Sequence, residues 1–147
     1  MPAGTGRPSS SRISISTPGS GRPTETRRRF TAGSLLAAAV PIPSLPFTDT
    51  GATCDNLDDY DAECPYTGST APDVVYSFVS ATGRDIAVDL CGSAYDTKVY
   101  VLDETLEVVA CNDDFYNDET CGLYVSRIDR VHVSPQRTYY IIVDGYG

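Results

Sequence analysis

Cys91-Gly92-Ser93-Ala94-Tyr95-Asp96-Thr97-Lys98-Val99-Tyr100-Val101-Leu102-Asp103-Glu104-Thr105-Leu106-Glu107-Val108-Val109-Ala110-Cys111-Asn112-Asp113-Asp114 is the stretch that decides the fold. Two apolar runs, Thr97 to Leu102 and Leu106 to Cys111, are joined by a connection of hairpin length, Asp103-Glu104-Thr105. A hairpin returns its chain end to where it began. The loop carrying Asp96 and the loop carrying Asn112, Asp113 and Asp114 are therefore expected side by side at one end of a β-sheet, forming an oxygen-rich corner.

Outward from this hairpin the β pattern continues. Asp73 to Val79 places Val74, Tyr76 and Phe78 on one face. Arg84 to Leu90 alternates, with Ile86, Val88 and Leu90 on the apolar side. Tyr124 to Val133 is longer, and its period breaks between Ile128 and Val131, which predicts a bulge there. Thr138 to Val143 is the most apolar run of all. Six strands at roughly ten-residue spacing predict an all-β, jelly-roll-like antiparallel β-sandwich. Gly51 to Ser69 reads as a loop, broken by Pro65 and followed by Pro72.

The chain of 147 residues is not one compositional unit. Residues 1–46 hold six arginines against a single acid, Glu25, whereas 47–147 hold five basic and nineteen acidic residues, for a total of −9. Residues 1–25 are rich in Ser, Gly, Pro, Thr and Arg, and composition predicts a disordered leader over 1–46. Thr26-Arg27-Arg28-Arg29-Phe30 precedes a weakly apolar run from Thr31 to Val40, a pattern that resembles a twin-arginine export signal. Residues 47–147 have the size of one small domain. Its acidity argues against nucleic acid, because phosphate neutralisation needs Lys and Arg. No stretch is apolar for long enough to predict a membrane span.

All five cysteines follow residue 53, and none forms a CxxC pair. That favours disulfides, hence an oxidising, secreted or extracellular setting, over zinc or redox chemistry. Cys54 and Cys64 bracket a short acidic loop and are expected to pair. Among Cys91, Cys111 and Cys121 one further pair is expected: Cys111–Cys121, closing the loop over Asn112 to Thr120, or alternatively Cys91–Cys121.

Ala71-Pro72-Asp73-Val74-Val75-Tyr76-Ser77-Phe78, Cys91 to Thr97, Ala110 to Asp114 and Thr138-Tyr139-Tyr140-Ile141-Ile142-Val143-Asp144-Gly145-Tyr146 together resemble the bacterial prepeptidase C-terminal domain family over about residues 54–147. The resemblance implies a non-catalytic, jelly-roll-like accessory domain of a secreted protein. In some related domains it comes with calcium or matrix-polymer binding. It also implies a closing strand beyond Gly147, so the sandwich is expected to be incomplete here, with an open edge beside Tyr139–Val143 or a neighbour.

Asp96, Asn112, Asp113 and Asp114 offer the oxygen donors that calcium takes. The same residue types also brace loops by accepting backbone N–H bonds, and both readings stand. The five acids Asp55, Asp58, Asp59, Asp61 and Glu63 lack calcium-loop spacing and read as solvated surface. Catalysis finds little support: His132 is the sole histidine and no GxSxG elbow is present. Ten tyrosines without tryptophan leave a second reading, a carbohydrate- or matrix-binding module. Its partner would be a polysaccharide or an extracellular matrix protein, met by the loop residues Tyr95 and Tyr116.

Overall fold

A computed structural model describes residues 10–19 and 38–146. Eleven strands fill it: β1 (Ser10–Ser16), β2 (Val40–Pro41), β3 (Phe47–Ala52), β4 (Val74–Val79), β5 (Arg84–Asp89), β6 (Thr97–Leu102), β7 (Val108–Asn112), β8 (Tyr116–Asp118), β9 (Gly122–Val125), β10 (Arg127–Val133) and β11 (Thr138–Gly145). One sheet has the order β10-β5-β1-β3, all antiparallel. The second has the order β2-β4-β11-β6-β7, antiparallel except where β2 runs parallel to β4. A small hairpin, β8-β9, stands apart. The chain is an all-β sandwich, as the alternation of its apolar residues requires.

The core lies between the two sheets. Alternate residues of β4 (Val74, Tyr76, Phe78), β6 (Val99, Val101) and β11 (Tyr139, Ile141, Val143) face Ile86 and Val88 of β5 and Ile128, Val131 and Val133 of β10. The period break read in the sequence is real: pairing between β10 and β5 shifts register between Ile128 and Val131. The bulge lets Ile128 and Val131, an odd number of residues apart, both enter the core.

Composition misjudged the leader. Ser10–Ser16 is an interior strand of the first sheet, paired with β3 on one side and β5 on the other. Ile13 and Ile15 are 1% and 0% exposed and belong to the main core. Ile42 is buried too, and Val40 and Leu45 pack against the core. The physical reason is that a strand needs only a few alternating residues. Arg12-Ile13-Ser14-Ile15-Ser16 has them, though the surrounding residues dilute them in any compositional average. The arginine motif at 26–30 and most of the apolar run after it lie outside the described residues.

The expected open edge beside Tyr139–Val143 is also corrected. β11 is interior, flanked by β4 and β6 over its length. The exposed flanks of the sandwich are instead β7, β3, β10 and the two-residue β2.

The central strands of the second sheet are buried on both faces, and every residue of β6 is buried. On its outer face Val75, Tyr100, Leu102 and Ile142 form a second cluster, covered by Ala39, Tyr60 and Ala62. The acidic loop that follows β3 thus lies across this sheet. Its five acids are exposed, as solvated surface should be, while Tyr60 and Ala62 turn inward and Leu57 faces solvent.

If β1 belongs to the core, Ile15→Ala should lower the free energy of unfolding by about 2–5 kcal/mol. Urea denaturation checks this; an unpacked leader would give no change.

Candidate functional site

The β6–β7 hairpin pairs Val99 with Asn112 and Tyr100 with Cys111. This register puts the residues just before β6 beside those just after β7. Carboxylate oxygens of Asp96, Asp113 and Asp114 accordingly lie within 4.8 Å of one another. Among the described residues this is the only such cluster of three acidic, His or Cys side chains. It adjoins a shallow groove lined by Glu63, Pro65, the Cys64–Cys111 bridge and Asn112 to Asp114.

Asn112 takes a different part. Its Oδ1 accepts the Arg127 backbone N–H at 2.9 Å, so it braces the start of β10 and is not one of the clustered carboxylates. Asp118 is a brace as well, its Oδ1 accepting the N–H groups of Thr120 and Cys121, both at 2.8 Å. The Asp118–Thr120 bond is an Asx-type turn of the kind such residues form readily.

Ser126, which sequence reasoning passed over, ties the two sides of the corner together. It is 0% exposed. Its N–H donates to Thr97 Oγ1 at 2.8 Å, and its hydroxyl lies against the backbone carbonyls of both Thr97 and Asp113. The Asp96 carbonyl accepts the Tyr146 N–H at 3.2 Å, anchoring the end of β11 to the same corner. Three segments therefore fix the backbone on which the carboxylates sit.

Crowding raises their proton affinity. Burial, then Asp114 and Asp113, push the Asp96 carboxyl up to about 6. Asp113 is raised by burial and by Asp114, against the pull of Lys98. Three carboxylates held this close repel one another, and a cation between them would relieve that repulsion. The oxygen donors suit a hard cation such as calcium.

Crosslinks brace this end of the sandwich, but not the ones expected. Cys64 pairs with Cys111, and Cys91 with Cys121. Cys54 is the free, exposed thiol among the described residues. The expected Cys54–Cys64 bridge fails because the acidic loop does not close on itself; it crosses the sheet and is fastened to β7. The Cys111–Cys121 bridge fails with it, leaving the Cys91–Cys121 alternative, which ties the β5–β6 loop to the β8–β9 hairpin. Gly122 allows that approach: its φ is +116°, and a Cβ there would lie 3.1 Å from the Ser93 carbonyl oxygen of the β5–β6 loop.

The tyrosines Tyr95 and Tyr116 are not free binding platforms. Tyr95 is half-buried, its ring packed on Gly145, where a Cβ would lie 3.1 Å from it. Tyr116 donates its hydroxyl proton to Asp89 Oδ2 at 3.1 Å and accepts from Arg127 Nη1 at 2.7 Å. Loop position suggested exposure, but both rings serve the fold. The apolar side chains that do reach solvent near the small hairpin are Phe115, Leu123 and Tyr124. Tyr124 holds a φ of +58°, a left-handed conformation uncommon for a bulky residue.

A second polar constellation lies under the acidic loop. Lys98, 0% exposed, donates from Nζ to the Tyr66 carbonyl at 2.9 Å, and it faces Asp61 at 3.5 Å and the buried Asp144 at 3.9 Å. Asp144 Oδ1 accepts from the Gly145 N–H at 2.6 Å and the Ser69 hydroxyl at 3.0 Å. Asp73, also fully buried, accepts the N–H groups of Asp59 and Tyr60 on Oδ2 at 2.8 and 2.7 Å. Burial, then Asp144, push the Asp73 carboxyl up to about 7; burial pushes Asp144 up to about 6. The signal in the sequence was a lone lysine inside an apolar strand of an acidic domain.

No family model, curated protein or solved structure matches this chain.

Removing Lys98 while keeping its volume should leave the buried Asp144 without its cation. Lys98→Met should lower stability by about 3–5 kcal/mol, with Asp144→Asn in the same chain recovering part of the loss. The pH dependence has a definite sign. Asp73 and Asp144 hold their protons more tightly folded than unfolded, so the stability they contribute is full below about pH 4. It is lost as pH rises through about 6 and 7. Urea midpoints taken from pH 4 to pH 8 should fall across that window, and Asp73→Asn should flatten the upper part of the fall.

Proposed function

We propose that this chain is a non-catalytic accessory β-sandwich of an exported protein, akin to the prepeptidase C-terminal domains it resembles, and that the Asp96–Asp113–Asp114 corner takes a calcium ion that stiffens one end of the sandwich. The observation that carries this reading is the convergence of three carboxylates on a backbone corner already fixed by Ser126, Tyr146 and two disulfides. A site fixed before the ion arrives loses little freedom when it binds. Extracellular use fits the two bridges, since such bonds persist in oxidising compartments. The absence of a catalytic role is supported by the disposition of the obvious nucleophiles and bases. His132 is exposed and paired with Asp85 at 2.9 Å, Ser126 is sealed against carbonyls, and four of the five cysteines are crosslinked.

A second reading, binding of a polysaccharide or matrix protein, draws on the exposed Phe115, Leu123 and Tyr124. Aromatic and aliphatic side chains held out from a small hairpin are the kind of surface that stacks on sugar rings or apolar peptide. Retention on insoluble polysaccharide or collagen that is lost in Tyr124→Ala would favour it.

Millimolar calcium should raise the unfolding temperature, because ligand bound only to the folded state stabilises it by mass action. Asp96→Ala or Asp114→Ala should abolish the rise. Magnesium should do less, as it demands a tight octahedral shell. Differential scanning calorimetry with calcium, magnesium and chelator decides. If none shifts the transition, the three acids are loop residues and the calcium reading fails.

A further inference from the structure

The position of β1 carries an inference of its own. Every other interior strand of the sandwich belongs to the continuous stretch from residue 38 onward. β1 comes from beyond residues 17–39 and enters the first sheet between β3 and β5. It is the one described strand to which β3 is paired, from Ser10↔Ala52 to Ile15↔Phe47. Its other edge pairs with β5 over Ser14 to Ser16. Without it the first sheet would part, leaving two unpaired strand edges and two empty places in the core.

What holds β1 is modest. It buries two large apolar side chains, Ile13 and Ile15, where β11 buries Tyr139, Ile141, Ile142 and Val143. The rest is backbone pairing and small polar contacts: the Arg12 N–H donates to Ser93 Oγ at 3.1 Å, Ser93 donates back to the Arg12 carbonyl at 3.3 Å, the Ala94 N–H reaches the Ser10 carbonyl at 3.0 Å, and the Thr48 hydroxyl donates to Ser14 Oγ at 3.5 Å. Neither disulfide has a cysteine in it. Backbone pairing is indifferent to sequence, and two isoleucine pockets two residues apart are a short specification.

We propose that the slot between β3 and β5 is a strand-acceptor site for an extended peptide. Ser10–Ser16 fills it in cis. A segment with β-branched apolar residues at two alternate positions and small polar residues between them takes its place once the chain is cut between β1 and β2. It enters in the direction of β1, antiparallel to both neighbours. The consequence for an exported protein rests on the export reading above: processing within the leader would remove β1 and open the slot. The exchange itself does not depend on that reading or on calcium.

The test keeps the whole chain. A specific protease site is inserted between Ser20 and Gly21, and cleavage leaves β1 held by non-covalent contacts alone. A fluorescein-labelled peptide of Ser10–Thr17 is then titrated, with a control peptide carrying Ile13→Asp and Ile15→Asp. The cut protein should bind the label saturably, by anisotropy, and release its own N-terminal fragment, by mass. The uncut chain should bind on the order of 100-fold more weakly, because a tethered strand competes at roughly millimolar effective concentration. Failure of the label to bind, equal binding of the control peptide, or retention of the fragment against excess peptide would each overturn the proposal. If the cut protein unfolds on losing its strand, hydrogen exchange on the uncut chain decides. Ile13 and Ile15 amides exchanging through a smaller opening than Ile141 and Val143 support the site, and equal protection overturns it.

Discussion

The buried ammonium of Lys98 is the interaction on which the arrangement of the second sheet depends. An amine in the middle of an interior strand needs acceptors, and β11 can supply only Asp144. The others, Asp61 and the Tyr66 carbonyl, must come from the loop after β3. That requirement draws the acidic loop across the sheet and brings Tyr60 and Ala62 over Val75, Tyr100 and Ile142. The Tyr66 and Tyr100 rings lie 4.7 and 5.7 Å from the charge and add cation–π attraction. A loop that would otherwise be solvated thereby becomes the third layer of the molecule. Lys98 pairs with Asp144 and Asp61, whereas Asp73 is held by the N–H groups of Asp59 and Tyr60, and burial leaves the Asp73 and Asp144 carboxyls holding their protons more tightly.

The crosslinks follow from the same placement. Once the loop lies across the sheet, Cys64 reaches β7 and Cys54 does not, so the bridge forms to Cys111. Cys111 precedes Asn112, Asp113 and Asp114 directly, and the layer under which Lys98 is buried is therefore fastened beside the acidic corner. Lys98 is felt there too, drawing down the Asp113 carboxyl that burial and Asp114 raise. The polar interior and the candidate cation corner are two parts of one charged region, spanned by β6: Asp96 lies one residue before its start and Lys98 is its second residue.

What was legible in the sequence was whatever is local. Alternation in β4, β5, β6 and β11, the hairpin joining β6 to β7, the bulge between Ile128 and Val131, and the meeting of Asp96 with Asp113 and Asp114 all follow from periodicity and chain return. What was not legible depends on partners far along the chain. Cysteine pairing turns on where a loop travels, and nearness in sequence favoured Cys54–Cys64. Tyr95 and Tyr116 look exposed from their loops, but Gly145, Asp89 and Arg127, which engage them, lie elsewhere in the chain. Asn112 offers a side-chain oxygen as the clustered acids do, and it shares their neighbourhood. Only the N–H of Arg127, fifteen residues on, assigns it to bracing.

β1 marks the boundary between these two kinds of information. Its five-residue alternation is local, yet whether it counts depends on a vacancy in a sheet that the rest of the chain must build first. Local pattern without a vacancy gives a solvated segment; a vacancy without the pattern gives a divided sheet. The acidic corner and β1 are consequently held by different physics, although β1 docks on the same Cys91–Thr97 loop through Ser93 and Ala94. At the acidic corner, covalent bridges, Ser126 and the end of β11 converge, and opening requires several of these to yield together. At β1 the strand is held by two isoleucines, ladder bonds and a few small polar contacts, with no cysteine of its own. Openings of low free energy should therefore begin at the first sheet and leave the corner intact, since stability within a domain is lowest where buried apolar contacts are fewest.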